Sequence, residues 1–201
     1  AAQAVKIKKE NKIVVCIFGD GAINRGPFLE GLNWAKIYEL PILFVCEDNM
    51  YAATTKAITT TAGKGVVSRA RSLGLEAQSF NGNDIEEVDQ AAQYFIENTR
   101  QKGPMLLHLK TYRLCGHTST DQATYRPSEE VKIKWLEDPI KICATLLQNK
   151  GISDAQLIKI EEDASIEMTE IYETAKLAQF PSSIKAYEDV QDIGDPRVDC
   201  F

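Results

Sequence analysis

Ile13-Val14-Val15-Cys16-Ile17-Phe18-Gly19-Asp20-Gly21 carries more structural information than any other part of the chain. Val14 to Phe18 is a short apolar run, so it reads as a fully buried strand. Gly19 and Gly21 let the backbone turn tightly at the carboxyl end of that strand, and a helix is expected from Gly26 onward. A carboxylate at such a strand end, ahead of a helix N-terminus, stands where an open α/β sheet holds an anionic ligand. A second half repeats the geometry: Pro41-Ile42-Leu43-Phe44-Val45-Cys46 is another buried strand, and Asp48-Asn49 follows it closely. Two oxygen-donor side chains at the ends of neighbouring parallel strands suit Mg²⁺ bridging a phosphate ligand. Gly-Asp-Gly alone is a common β-turn sequence, and on that reading Asp20 and Asn49 are ordinary turn residues. The spacing, with a strand before each half, favours the ligand site.

Working outward, Phe28, Leu29, Leu32 and Ala35 recur at helical spacing and predict a helix over 26–39. Thr54 to Lys64 reads as an irregular connection, Val66 to Leu73 as a short helix and Leu75 to Phe80 as a strand ending at Asn81-Gly82-Asn83. Asp84 and Glu87 make a capping-box-like start to a helix whose face carries Ile85, Val88, Ala92, Phe95, Ile96 and Thr99. Met105 to Leu109 is a third buried strand. Strands alternating with helices predict an α/β fold with a doubly wound, mostly parallel sheet and helices on both faces, in three α/β/α layers. Asp138-Pro139 opens a further helix, and Ser153 with Gln156 caps another that runs to Phe180-Pro181. One α/β domain is expected over 1–190, with a tail over 191–201.

Bulk properties exclude several function classes. With 201 residues the chain is long enough for one domain with a substantial core. A net charge of −6 argues against nucleic acid or anionic membrane as the main partner. No apolar run approaches the ~20 residues that span a bilayer. Five cysteines without a Cys-x-x-Cys pair indicate neither a disulfide framework nor a zinc site, and reduced thiols fit a cytoplasmic or mitochondrial matrix location.

Gly-Asp-Gly, a spacing of 26 residues and then Asp48-Asn49 resembles the motif of the thiamine diphosphate enzymes. Ala22, Asn24, Gly26, Glu30, Asn33, Ala35, Leu40-Pro41 and Val45-Cys46-Glu47 narrow the resemblance. They are similar to the α subunit of the dehydrogenase component of 2-oxo acid dehydrogenase complexes, a group with pyruvate, branched-chain and acetoin members. Gly103 to Leu107, then Tyr112-Arg113-Leu114-Cys115-Gly116-His117-Thr118-Ser119-Thr120-Asp121 and Tyr125-Arg126, extend it to at least Ile142. The chain opens at Ala1-Ala2-Gln3 rather than Met, and by this resemblance it is expected to be the C-terminal part of a larger subunit.

The resemblance implies thiamine diphosphate and Mg²⁺ as cofactors. It implies Asp20, the Asn49 side chain and the Tyr51 main-chain carbonyl as metal ligands. Gly19, Asp20, Gly21, Ala22, Asn24, Asn49, Tyr51 and His117 would be the cofactor-binding set, with His117 acting in acyl transfer to lipoamide. His108, set among apolar neighbours, reads as a hydrogen-bonded core or sheet histidine. Asp48 stands where the family has asparagine; an extra carboxylate beside a diphosphate is repulsive unless it points away or pairs with a cation. Cys115 stands where the family often has a second histidine. Thr118 aligns with a phosphorylated serine of mitochondrial relatives, although a solvated threonine is the default.

The glutamate that activates the cofactor's aminopyrimidine comes, in the family, from a β subunit. The implied assembly is an α₂β₂ heterotetramer on a lipoyl acyltransferase core, acting on a 2-oxo acid or acetoin. Met50 to Thr55 leans toward the acetoin and pyruvate members. Two alternatives stay open: a transketolase- or synthase-type enzyme on the same cofactor, against which the Tyr112 to Asp121 block argues, and a non-catalytic structural subunit that binds a β-like partner.

Overall fold

Four parallel strands form the sheet around which the chain is organised, in the order β1-β2-β6-β5. The computed structural model describes residues 1–187. In chain order the elements are α1 (Ala2–Ile7), β1 (Val14–Gly19), a 3-10 turn (Asp20–Asn24), α2 (Gly26–Ile37), β2 (Ile42–Asp48), β3 (Tyr51–Ala52) and β4 (Thr55–Lys56). They continue with α3 (Val66–Ser72), β5 (Glu76–Asn81), α4 (Ile85–Lys102), β6 (Met105–Lys110), α5 (Ser128–Lys134), α6 (Pro139–Asn149) and α7 (Asp154–Leu177). Contacts divide the chain into two compact units, Ala1–Lys150 and Gly151–Phe201, where one domain to residue 190 was expected. The expected tail, 191–201, lies outside the described residues.

Within the first unit the strand period of two sorts the side chains onto two faces. Phe44, Cys46, Leu106 and Ala77 turn to one face and meet Leu32 and Ala35 of α2 and Val66 and Ala70 of α3. Leu43, Val45, Met105 and Leu107 turn to the other and meet Ala91 and Phe95 of α4. Helices on both faces of a parallel sheet make the three α/β/α layers.

β1 departs from its expected full burial: Val15 is 46% and Ile17 63% exposed. The strand is at the margin of the sheet. Val15 and Ile17 are in register with Leu43 and Val45, on the α4 side, but α4 packs against β2, β5 and β6.

The helix starts follow their local chemistry. Asp84 accepts the Glu86 and Glu87 N–H groups, but Glu87 does not close the capping box; its Oε1 accepts the Asn81 N–H instead. Asp138 accepts the Ile140 N–H ahead of Pro139. In the second unit both halves of the Ser153–Gln156 capping box form, and α7 ends at Leu177 with Ile160, Met168 and Ile171 exposed.

Candidate active site

The turn after β1 places Asp20 inside the molecule, 3% exposed. Its Oδ2 is buried and has no hydrogen-bond partner among the described residues. Burial, and then the charge of Asp48, push its carboxyl above the ordinary carboxylate range, while the Gly21 and Asp20 N–H groups pull the other way. A buried anionic oxygen without a partner is costly, and it is satisfied when a cation is brought to it.

After β2 the chain makes two successive Asx turns. Asp48 Oδ1 accepts the Met50 N–H at 3.1 Å and Asn49 Oδ1 accepts the Tyr51 N–H at 3.1 Å. Met50 takes the left-handed conformation, with φ at 71°, as the turn requires. The Tyr51 phenol donates to Glu130 at 2.8 Å, and Lys56 pairs with the same carboxylate at 2.9 Å. Tyr112 donates to it as well, at 3.0 Å. Lys56, followed by the two phenols, holds the Glu130 carboxyl below its usual range.

A crevice of about 680 Å³ opens beside Asp20 at the carboxyl ends of the strands. Two cross-strand rows form its inner wall. Cys46, His108 and Ser79 are in register across β2, β6 and β5; Asp48, Lys110 and Asn81 form the next row on the same face. Ile58, Lys64, Val66 and Val67 form part of the opposite wall. His108 is buried, and its Nδ1 is 2.7 Å from Ser79 Oγ while its Nε2 is 3.0 Å from Asp48 Oδ2. It is thus the hydrogen-bonded sheet histidine expected from the sequence. Asp48, the extra carboxylate of the sequence, is thus hydrogen-bonded through Oδ2 to His108 and does not stand free in the crevice. That bond is the largest cause of an Asp48 carboxyl held below the usual range.

The loop from Arg113 to Arg126 carries His117 on the surface. Asp121 organises it, accepting the His117 N–H at 2.7 Å, the Tyr125 hydroxyl at 2.7 Å and the Ala123 N–H at 2.8 Å. These bonds, that of the His117 N–H first, bring the Asp121 carboxyl down to about 2. Arg126 is buried; its guanidinium donates to the Arg113, Leu114 and Cys115 carbonyls and lies over the rings of Tyr51, Tyr112 and Tyr125. Arg113 ties the loop to the turn after β2, donating to the Ala53 carbonyl at 2.7 Å and the Tyr125 hydroxyl at 2.6 Å. Its Nη1 is 3.3 Å from His117 Nδ1. A guanidinium only donates, so His117 Nδ1 is the acceptor and Nε2 carries the imidazole proton.

Asp20 and Asp48 share the crevice. Asn49 and Tyr51 follow Asp48 in the same turn. Asn24 is held by Thr61 at 3.1 Å and by Arg69 at 3.0 Å, so its side chain braces the segment opposite the sheet. His117 stands outside the crevice lining and reaches the turn through Arg113. Thr118 is solvent-facing, with Thr120 Oγ1 at 3.3 Å.

Sequence reasoning passed over Ser79, Asn81 and Lys110 as site residues, and Glu130, Arg126 and Arg113 as braces. One signal was available for the first group. Ser79-Phe80-Asn81 and His108-Leu109-Lys110 alternate polar and apolar at strand ends, which puts their polar members on one face.

The donor set fits a metal-bound diphosphate. Asp20 offers a buried carboxylate oxygen that no described residue meets, and Asn49 and Tyr51 stand in the turn that follows Asp48. Among the described residues no group of three or more His, Cys, Asp or Glu is placed to hold a metal ion.

Comparison with known proteins gives a consistent result. A family model described as the dehydrogenase E1 component matches residues 1–183. The chain is 34% identical over 194 residues to the pyruvate dehydrogenase E1 component subunit alpha of Rickettsia bellii, covering 94% of this chain and 59% of that protein. For the Zymomonas mobilis protein of the same name the values are 33% over 191 residues, 94% and 54%. For the mitochondrial protein of Dictyostelium discoideum they are 35% over 194 residues, 94% and 51%. The chain therefore spans between half and three-fifths of these relatives. Such coverage lends no support to the expected C-terminal placement.

Proposed function

The chain belongs to the dehydrogenase E1 component family, and from that premise we propose that it works as the α subunit of a thiamine diphosphate- and Mg²⁺-dependent 2-oxo acid dehydrogenase component. The observation that carries this reading is the buried, unpartnered Asp20 oxygen at the mouth of a crevice shared with the Asp48–Tyr51 turn. The names of the relatives favour pyruvate as substrate, with acetoin and branched-chain 2-oxo acids as alternatives. The acyl group passes to lipoamide on a lipoyl acyltransferase core. A β subunit completes the site in an α₂β₂ assembly, in the bacterial cytoplasm or the mitochondrial matrix. Among the described residues no helix is long and apolar enough to cross a membrane.

Each residue has a role in this reading. Thiamine diphosphate, when bound, would supply the nucleophilic carbon for the substrate's oxo group, and this chain's residues would hold its diphosphate. Asp20 takes the metal, with the Asn49 side-chain oxygen and the Tyr51 carbonyl. Gly19, in ordinary extended backbone, leads into the turn, and the Gly21 and Ala22 N–H groups serve the diphosphate oxygens. Asn24 holds the facing segment in place. Glu130 and Lys56 fix the Tyr51 side chain and so the position of its carbonyl. His117 is the candidate catalytic residue: it carries a proton on Nε2 for the acyl-transfer half of the reaction.

The test is reconstitution of the chain with its β-type partner, Mg²⁺ and thiamine diphosphate. Decarboxylation of pyruvate, a branched-chain 2-oxo acid or acetoin cleavage is followed with an artificial electron acceptor. Turnover of one of the three supports the reading. Cofactor binding without any turnover favours the structural-subunit alternative, and failure to bind cofactor defeats the proposal.

A further inference from the structure

Asp48 puts a second carboxylate into the crevice that holds Asp20, and electrostatics alone make that unfavourable for an anionic ligand. Its charge already acts on Asp20, whose carboxyl it pushes upward. Both Asp48 oxygens are nevertheless occupied: Oδ1 by the Met50 N–H at 3.1 Å and Oδ2 by His108 Nε2 at 3.0 Å. An ionised carboxylate only accepts, so Nε2 carries a hydrogen whether the imidazole is neutral or cationic. Ser79 Oγ holds the far side of the ring at 2.7 Å from Nδ1. The three side chains come from adjacent strands, with Ser79 and His108 in direct register and Asp48 one step further along the same face. The His108 side chain is 8% exposed, so solvent does little to loosen its ring, while the Asp48 side chain is 29% exposed.

We infer that His108 is a positioning residue for the ligand site: anchored by Ser79, it clamps the Asp48 carboxylate against the Met50 N–H and keeps that charge from repelling a metal-bound diphosphate. The clamp also sets the Asp48–Tyr51 turn, since the bond to Met50 and the bond to His108 share one carboxylate. Lys110, next in the row, adds a favourable positive charge to Asp48. This inference rests on the diphosphate-site reading above. It goes beyond that reading by assigning a dependence on three residues outside the ligand set.

The experiment measures thiamine diphosphate binding by calorimetry in the assembled α and β subunits with Mg²⁺, and Mn²⁺ binding by electron paramagnetic resonance. The variants are His108→Leu, His108→Gln, Asp48→Asn and the Asp48→Asn/His108→Leu pair. Removing a partner that orients a site typically costs about 10–100-fold in affinity, and that loss is expected for His108→Leu. His108→Gln keeps an N–H donor and retains most of the affinity. The pair returns to within about twofold of Asp48→Asn, because no unpaired charge is left. A merely structural histidine would give the opposite pattern, with the pair as weak as His108→Leu and melting temperatures falling together. Should His108→Leu not fold, Ser79→Ala, which frees the other end of the ring, is expected near the lower end of the same range. Unchanged affinity in these variants overturns the positioning role alone. A wild-type assembly that binds no cofactor overturns the site reading and this inference with it.

Discussion

Gly21 and Ala52 touch so closely that no side chain fits between them: a Cβ on Gly21 would stand 2.8 Å from the Ala52 Cβ. The contact joins the turn after β1 to β3, and it brings the two halves of the candidate ligand site to one another. Gly21→Ala is therefore expected to push the turns apart, at about 1–3 kcal/mol of stability, and to weaken Mg²⁺–thiamine diphosphate binding. Gly21→Ala/Ala52→Gly restores the space and should recover affinity in a calorimetric titration. Failure of the second change to help would place the effect elsewhere.

Asp20→Ala should separate stability from binding. It removes a buried carboxylate oxygen without a partner, so the metal-free protein is expected to gain about 1 kcal/mol. Metal-dependent cofactor binding should disappear. Urea denaturation without metal and titration with it check the two halves. A marked loss of stability in the metal-free variant would show that Asp20 is structural.

Arg126→Met is expected to cost about 2–4 kcal/mol, since it leaves carbonyl acceptors unsatisfied and removes a cation from aromatic faces. The loop from Arg113 to Tyr125 should become accessible to protease in the variant before the sheet does. Arg126→Lys should recover only part, because an ammonium cannot reproduce the planar fork. Equal protease resistance of variant and parent would contradict this account.

Acid should open the same loop. Asp121 titrates at about 2 when its three bonds are made, against about 3.9 in an unfolded chain. A depressed carboxyl stabilises the folded form fully above the unfolded value and loses that contribution as pH falls through the folded one. The His117 amide resonance is expected to shift with a midpoint near pH 2, where the folded Asp121 carboxyl is half protonated. Asp121→Asn should abolish that shift.

His117→Ala is expected to depress the lipoamide-dependent reaction by about 10²–10⁴, the usual range for acid–base assistance. Decarboxylation read with an artificial acceptor should fall less. Equal loss of both, with a matching drop in melting temperature, would make the residue structural.

The paired strand ends were readable because each half is local: an apolar run, a turn and an oxygen donor lie within a few residues. The three-layer arrangement followed from the alternation of strands and helices. The partner of His108 was not readable. Ser79 is 29 positions away, and the two meet only because the crossover through α4 lays β5 directly beside β6. Asp48 was recognisable as a charge in need of a partner, but the partner lay on another strand. The exposure of Val15 and Ile17 was hidden for a related reason: hydrophobicity does not reveal whether a strand sits at the middle or the margin of a sheet.

The alternation at the ends of β5 and β6 has a consequence for folding fidelity. Leu109 and Phe80 pack with Phe95 on the side of α4, while His108, Lys110 and Ser79 face the crevice. A one-residue slip of β6 would exchange these roles, driving an ammonium and an imidazole against Phe95 and presenting Leu109 to the crevice. Such a misregistered chain would carry buried ionisable groups without partners, a penalty of several kcal/mol that a uniformly apolar strand would escape. The polar residues of the crevice's inner wall thus disfavour a one-residue slip of β6 whether or not a ligand is bound.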